Sequence, residues 1–504
     1  MTLRKVLGIE TEYGIIARNL DISPSVASSI LVNSYTDDGP SLRVWNFDSE
    51  TPHIDARDDG GANGTHPLVE PMMANAVLPN GARYYVDHAH PEYSTPECAS
   101  PGEAVLHDRA GELVIEESMR RALLRLPDGA ELVAYKNNSD GKGNSYGCHE
   151  NYLVPREVPF GRIQAAMLAH FVSRQVFCGA GKVGVEMPRQ GETRPAFQLS
   201  QRADFFEEEV GLETTIRRPI VNTRDEPHAN PVRYRRLHVI AGDANMSEVA
   251  TWLKLGTTSL VLSCLEDDAF DLDLAPSDPV SAVRAVSHDI SLGRAYECRD
   301  GRTRTALGVQ EEILSGVTAW FGRQDDDPLG GEGAAVLEEW SRTLDLLASD
   351  PSKVADTVDW VAKLRIIEGF AARHGADWDD ARLRAVDLQY HDMRPGRGLA
   401  RRAKLRRLVS DSDADAARIV PPSDTRAFFR GACLARWPDK VVSASWDGIV
   451  LDTAAGLVRL PMDEPLKGSK ELVGGLLSAA TDVDHLVEML GSNAVVPVES
   501  DPGW

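Results

Sequence analysis

Cysteine is scarce in this chain of 504 residues, with six in all (Cys98, Cys148, Cys178, Cys264, Cys298, Cys433) and no CxxC pair. That spacing excludes a disulfide framework and a cysteine-type zinc site, and it suits a reducing cytoplasm. Long apolar runs are missing too. Nothing approaches the ~18 to 20 residues that span a bilayer; the longest candidate, Ser259–Leu265, is the size of a buried strand. Glu10 and Glu12 stand where a secretory signal needs its apolar core. Neither a membrane nor an export reading is supported. Positive charge is in deficit, 54 Lys and Arg against 77 Asp and Glu, and the net of −23 is spread along the chain. Such a surface lacks the basic patch that grips nucleic-acid phosphates, though it leaves room for a local basic pocket.

Several phosphate and hydrolase motifs are absent as well. Lys136–His149 (KNNSDGKGNSYGCH) is glycine-rich but is not GxxxxGK[ST]. Gly141-Lys142-Gly143 runs on to Gly147 and misses GxGxxG by one residue. His149-Glu150 has no second histidine at HExxH spacing, and no GxSxG elbow occurs. A bound nucleotide would have to lie on a sheet rather than in a phosphate loop.

What is present is ordinary globular material, 42% hydrophobic and 26% charged. At ~150 residues per domain the length admits three units, or one large domain with a small appendage. Strand patterns fall at Lys5–Ile16, Ala82–Asp87, Glu131–Lys136, His149–Leu153, Arg235–Ala241 and Ala444–Asp452. Helical spacing marks Arg109–Leu126, Arg162–Cys178, Ala334–Leu347 and Asp359–Arg373. The uneven mixture predicts an α+β fold, a largely antiparallel sheet backed by helices. Thr36–Thr65 reads as a long loop, while Gln324–Gly333 and Ser410–Asp424 read as breaks. Past Gly431 the composition predicts a small unit of two or three strands and a final helix near Leu472–Leu490, which divides the chain at 1–431 and 432–504.

Residues two apart on a strand share a face. Glu10 and Glu12 therefore lie together, as do Arg83, Tyr85 and Asp87, then His149 and Asn151, then Arg236 and His238, with Glu92 following closely on Asp87. A solvent-washed face would carry Lys, Thr, Ser or Gln. These faces carry carboxylates, imidazoles, a phenol and arginines, the groups that hold divalent cations and phosphate oxygens. If the strands are neighbours, they build a charged floor for a metal-bound nucleotide.

Read contiguously, the segments GIETEYGI (Gly8–Ile15), NGARYYVDHAHPEYSTPE (Asn80–Glu97), YKNNSDGKGNSYGCHENYL (Tyr135–Leu153), FQLSQRADF (Phe197–Phe205), NTRDEPHAN (Asn222–Asn230), RYRRLHVIAGDANMSE (Arg233–Glu248) and DTRAFFRG (Asp424–Gly431) resemble one family. It is the family of enzymes that process Pup, the prokaryotic ubiquitin-like protein: the depupylase/deamidases and the Pup ligases. Both belong to the glutamine-synthetase-like carboxylate–amine ligase superfamily. The resemblance implies a curved, largely antiparallel sheet backed by helices and a small C-terminal domain. It also implies ATP at one end of a trough, with Mg²⁺ between its phosphates and the sheet. By motif, Glu10, Tyr85, Glu92, His149 and His238 match metal positions. Arg83, Ser94, Thr95, Asn151 and Arg236 match ATP positions, Trp446 matches a tryptophan against adenine, and Asp87 matches the catalytic aspartate. Without the resemblance, Trp446 reads as core.

The implied reaction is hydrolysis of the isopeptide bond between the C-terminal Glu of Pup and a substrate lysine, with deamidation of a C-terminal Gln. ATP serves as a bound cofactor, and Asp87 is either nucleophile or general base. Two features resemble the hydrolase branch, an irregular insert at Trp45–Leu68 and the wording of Val86–Pro91; Tyr390–Arg394 reads more like the ligase. The alternatives are a Pup ligase, a catalytically silent Pup-binding regulator and an ATP-independent metalloprotease. Pup and pupylated proteins are the implied partners, with the proteasomal ATPase a further candidate and no role for nucleic acid or membrane. Acidic Pup against a chain of −23 calls for a local basic groove, for which Arg401, Arg402, Lys404, Arg406 and Arg407 are candidates. On residue type alone Glu12 reads equally as a structural carboxylate paired with an arginine, and His88 and His90 point away from Asp87 if the strand persists. Arg224, Asp225 and His228 are open between a phosphate or Pup site and a turn. The insert is expected to tune turnover.

Overall fold

The structure, a computed structural model, describes residues 3–36, 43–47, 50, 54–57, 74–189, 191, 194–270, 273–491 and 494–498. An eleven-stranded sheet organises it. In chain order its strands are β1 (Leu7–Glu12), β2 (Arg43–Trp45), β3 (Asn75–Val77), β4 (Arg83–Asp87), β5 (His90–Ser94), β6 (Cys148–Pro155), β7 (Tyr234–Val239), β8 (Val441–Ala444), β9 (Gly448–Thr453), β10 (Gly456–Pro461) and β11 (Val496–Pro497). Their order across the sheet is β7-β6-β1-β5-β4-β3-β2-β8-β9-β10-β11. Every pair is antiparallel except β2 with β8. The α+β class expected from the sequence is the class observed. Among the described residues no helix is long and apolar enough to cross a membrane.

Alternation decides which face meets the helices. Ile9, Tyr84, Val86, Tyr93, Tyr152 and Leu237 are buried on the back of the sheet. Tyr84, Val86 and Tyr93 pack there with residues of α1 (Pro24–Thr36) and α2 (Pro101–Leu123). Leu7, Ile9 and Leu237 belong to a larger core shared with α3 (Phe160–Ser173) and α4 (Glu248–Glu266). Ser259–Leu265, read above as strand-sized, is the last part of α4, buried nearly all round; periodicity alone cannot separate a buried strand from a buried helix. α2 begins eight residues before the sequence pattern, because Ser100 caps it through the Glu103 amide and Pro101 fills its first turn.

Two predicted strands are each divided. The segment at Lys5–Ile16 is β1 followed by a separate strand, Gly14–Arg18, which leaves the main sheet to pair with Glu131–Tyr135. Gly14 permits this: a Cβ there would fall 2.3 Å from the Tyr146 hydroxyl. Ala444–Asp452 is the β8–β9 hairpin, and Trp446 sits at its turn rather than within a strand. Likewise the final helix is two, Lys470–Ala479 and Val483–Leu490, broken where Asp482 caps the second. The break at Ser410–Asp424 holds a short helix, Asp411–Ala417. Helix α5 (Ala427–Arg436) is bolted to the end of β5: Arg426 Nε donates to Glu97 at 2.7 Å, Arg430 Nη1 at 3.1 Å, and Thr425 Oγ1 to the Glu97 carbonyl at 2.7 Å. Most of the insert at 45–68 lies outside the described residues.

Candidate active site

Register brings the polar faces together. Across the ladder Glu10 stands opposite Ser94 on one side and His149 on the other, Glu12 opposite Glu92, and Tyr85 opposite Glu92. His238 is opposite Asn151 and Arg83 opposite Ser94. Strands that the sequence could not place side by side are therefore neighbours, and their non-core faces form one trough.

The trough has two clusters. In the first, ligand atoms of Glu10, His149 and His238 lie within 4.8 Å of one another, and the His149 and His238 rings are 4.9 Å apart. Glu10 accepts from Asn151 Nδ2 at 2.8 Å and lies 3.4 Å from His149 Nδ1 and 3.8 Å from Arg236. Burial alone would raise its pKa; the His149 and Asn151 hydrogen bonds and the Arg236 charge outweigh that and hold it at about 2. Burial, with the Arg236 charge, keeps His238 neutral well below the usual imidazole range, as a metal-binding imidazole must be.

The second cluster is Glu12, Asp87 and Glu92, again within 4.8 Å. Glu92 is 1% exposed. Burial and the charges of Asp87, Glu12 and Glu10 push it well above the carboxylate range. Tyr85, opposite it, is raised for the same reasons, burial first and the Glu92 charge second. Among the described residues only imidazoles, those of His88, His90 and His149, and no lysine or arginine pair with Glu12, Asp87 or Glu92, and such a carboxylate group is the donor set a hard divalent cation takes. Glu12 was the residue left open between a structural and a functional reading. It accepts from the Gly147 amide at 2.8 Å and faces His90 at 3.3 Å and His149 at 3.8 Å; among the described residues no arginine pairs with it. Its place on the Glu10 face was the signal.

Beside these clusters a cleft opens over Gly8, Glu10, Ser94, Thr95, Asn151 and Trp446, with Arg236, Arg426 and His228 also lining it. Arg236 is held by the Glu226 carbonyl at 2.6 Å and by Asn151 Oδ1 at 2.6 Å, so its charge is fixed toward Glu10. Thr95 Oγ1 accepts from the Ile9 amide at 3.0 Å, tying β5 to β1. Trp446 is half-buried, its ring 5.0 Å from that of Trp45 and 5.1 Å from the Arg430 guanidinium. It packs against the core of the C-terminal strands and also lines the cleft.

Arg83 is engaged differently. Its guanidinium lies 4.2 Å over Trp45 and 4.0 Å over Tyr85, donates to Asn75 at 3.1 Å, and pairs at 3.2 Å with Glu50 of the insert. Residues 54–56 of the insert lie along the NTRDEPHAN segment, where the Ala56 amide donates to Thr223 and the Asp225 amide to Ile54. Asp225 itself pairs with Arg156, and Arg224 forms a backbone β-bridge with Asp55; Pro227 and His228 of that segment line the cleft.

One expectation is corrected. His88 does not point away from Asp87: β4 ends at Asp87, the chain turns through φ +52° at His88, and Nδ1 comes 2.9 Å from Asp87 Oδ2. The basic run at 401–407 is largely engaged by carboxylates, and Arg401, Lys404 and Arg407 line a cleft together with Asp108, Glu112 and Glu248. Arg401 pairs with Glu116, Arg406 with Glu339, Arg407 with Glu248 and Asp411, and Arg402 donates to the Gly396 carbonyl. The ligase-like Tyr390–Arg394 lies away from the trough in a buried brace, where Tyr390 bonds Asp359 at 2.8 Å and the His391 carbonyl accepts from the Lys136 amide.

Known proteins match this arrangement. The Pup-ligase protein family matches residues 5–450. A curated depupylase of Acidothermus cellulolyticus is 48% identical over 97% of this chain and 99% of its own, and a Pup deamidase/depupylase of Mycolicibacterium smegmatis is 46% identical over 97% and 100%. A Pup–protein ligase of Actinosynnema mirum is 43% identical over 72% of this chain and 80% of its own. Among solved structures, the Pup ligase PafA in complex with Pup superposes with a TM-score of 0.78 at 30% identity, covering 97% of this chain and 96% of that one. PafA in complex with ADP gives 0.73 at 32% identity, covering 84% and 97%. The likeness thus extends over nearly the whole chain and includes every strand of the trough, and the chain belongs to the Pup-ligase protein family.

Proposed function

We propose that this protein is a Pup depupylase and deamidase that hydrolyses the amide at the C-terminal Glu or Gln of Pup, with Asp87 as its catalytic carboxylate. The observation that carries the reading is the position of Asp87: it stands at the open end of β4, beside Glu12 and Glu92 and facing the trough. The 46–48% identity to curated depupylases over 97% of this chain, against 43% over 72% for the curated Actinosynnema mirum ligase, supports the hydrolase over the ligase. The ADP-bound relative supports a nucleotide in the cleft under Trp446.

Each residue then has a role suited to its chemistry. Glu10, His149 and His238 on one side and Glu12, Glu92 and Tyr85 on the other would hold Mg²⁺. Asn151, Arg236, Ser94 and Thr95 line the place for the nucleotide, and Trp446 that for adenine. When bound, Mg²⁺ would supply the positive charge that stabilises a developing oxyanion on the scissile amide. Asp87 either attacks the carbonyl carbon, forming an anhydride as the lysine amine departs with a proton from water, the anhydride then being hydrolysed to free Asp87, or takes a proton from the attacking water and passes it to the leaving amine. Hydrolysis of an amide is downhill, so ATP acts as a bound cofactor.

The test is a gel assay of a Pup–lysine conjugate with and without ATP and Mg²⁺, beside Asp87→Asn. Nucleotide-dependent release of Pup, lost in the variant, is expected. New conjugates formed from Pup ending in Glu, with ADP produced, would mean that the protein is a ligase.

A further inference from the structure

The β4–β5 hairpin closes with Asp87 opposite His90, leaving His88 and Ala89 as a two-residue loop. Such loops favour Asn or Gly where φ is positive, because a β-carbon crowds the backbone there. Here a histidine takes φ +52°. The loop is held from α1: Ser28 Oγ donates to the Ala89 carbonyl at 2.7 Å, and Ser25 Oγ reaches the His88 carbonyl at 3.5 Å. The result of this turn is that the His88 ring folds back over the strand end, with Nδ1 2.9 Å from Asp87 Oδ2. Asp87 has need of such a neighbour. Its carboxylate shares a space within 4.8 Å with those of Glu12 and Glu92, which repel it from the trough. Among the described residues its side chain has no other polar partner at hydrogen-bond distance.

We propose that His88 is a positioning residue for the hydrolysis, its Nδ1–H holding the Asp87 carboxylate in the orientation from which it meets the substrate carbonyl or water. This rests on the reading of Asp87 as the catalytic carboxylate. The left-handed turn is then the backbone device that delivers the donor, and the serines of α1 keep the turn in place. Orientation of a reacting group is worth large factors in rate without a change in substrate affinity.

Two variants separate the donor from the turn. His88→Gly and His88→Asn both accept a positive φ, but only asparagine restores an N–H near the position of Nδ1. With a Pup–lysine conjugate, ATP and Mg²⁺, His88→Gly is expected to lower kcat by about 10²-fold with KM unchanged, and His88→Asn to recover most of that loss. Thermal melting of both should match the wild type, since His88 is exposed in its loop. Equal kcat for all three proteins, or equal losses in both variants, would overturn the proposal. A wild type that releases no Pup would instead overturn the hydrolase reading, so the two failures are distinguishable.

Discussion

The two faces of β1, β4, β5 and β6 bury charge in opposite ways. Behind the sheet each charge is answered. Glu150, 0% exposed, accepts from Arg174 Nη2 at 2.6 Å and Nη1 at 2.8 Å, and from the Tyr152 hydroxyl at 2.6 Å. Lys136 donates to Asp108 at 2.7 Å and to Glu112 at 2.8 Å. In front, Glu12, Asp87 and Glu92 gather like charges with no lysine or arginine paired to them among the described residues, and Glu92 is driven toward its neutral form. One residue along β6 separates the two regimes: Glu150 faces back, His149 and Asn151 face the trough. A matched buried pair stabilises a fold. An unmatched one is a site that waits for a cation.

The comparison can be broken most forcefully from behind. Glu150→Gln leaves the buried Arg174 charge poorly matched and is expected to cost about 3–5 kcal/mol in urea unfolding, with activity lost only as the fold is lost. Full stability in that variant would remove the distinction between the faces.

The clamp on the C-terminal unit is next. Burial would raise Glu97, but Arg430 and Arg426 hold it at about 2 against an ordinary 4.5. A depressed carboxylate stabilises the fold fully above about pH 4.5, and that contribution is lost as pH falls toward about 2. The Glu97 contribution to the wild type's unfolding free energy in urea should therefore decline over that window by an amount on the order of 3 kcal/mol. Glu97→Gln should begin lower and decline less. Parallel declines would place the acid sensitivity elsewhere.

The smallest effect concerns Arg83. Glu50 occupies it from the insert, and its carboxyl is raised by burial despite the Arg83 charge. Half-buried pairs of this kind contribute ~0.4–1 kcal/mol, so Glu50→Ala should tighten ADP binding by about two- to fivefold. Weaker binding would make Glu50 a support for the nucleotide rather than its competitor.

The floor was readable because a strand's period is two. Glu10 with Glu12, Arg83 with Tyr85 and Asp87, His149 with Asn151, and Arg236 with His238 share faces in the structure as alternation requires. Which strands are neighbours was beyond reach, since pairing across β1, β5 and β6 joins residues some 80 to 140 positions apart, and local pattern carries no such information. Turn positions were the other blind spot. The break at Gly14 depends on Tyr146, the hairpin at Trp446 on the β8–β9 pairing, and the turn at His88 on α1. Each of these local conformations is dictated by a distant contact. The pairing of the charges at 401–407 was out of reach for the same reason: their partners, Glu116, Glu248 and Glu339, are remote in sequence.

The central claim is that the front face is strained by its own carboxylates until a cation is bound, and Glu92→Gln tests it most directly. The account predicts that this variant melts above the wild type in metal-free buffer, that Mg²⁺ with ADP raises the wild type but not the variant, and that the variant releases no Pup. A variant that melts below the wild type without metal, or that gains as much as the wild type from Mg²⁺ and ADP, would contradict it.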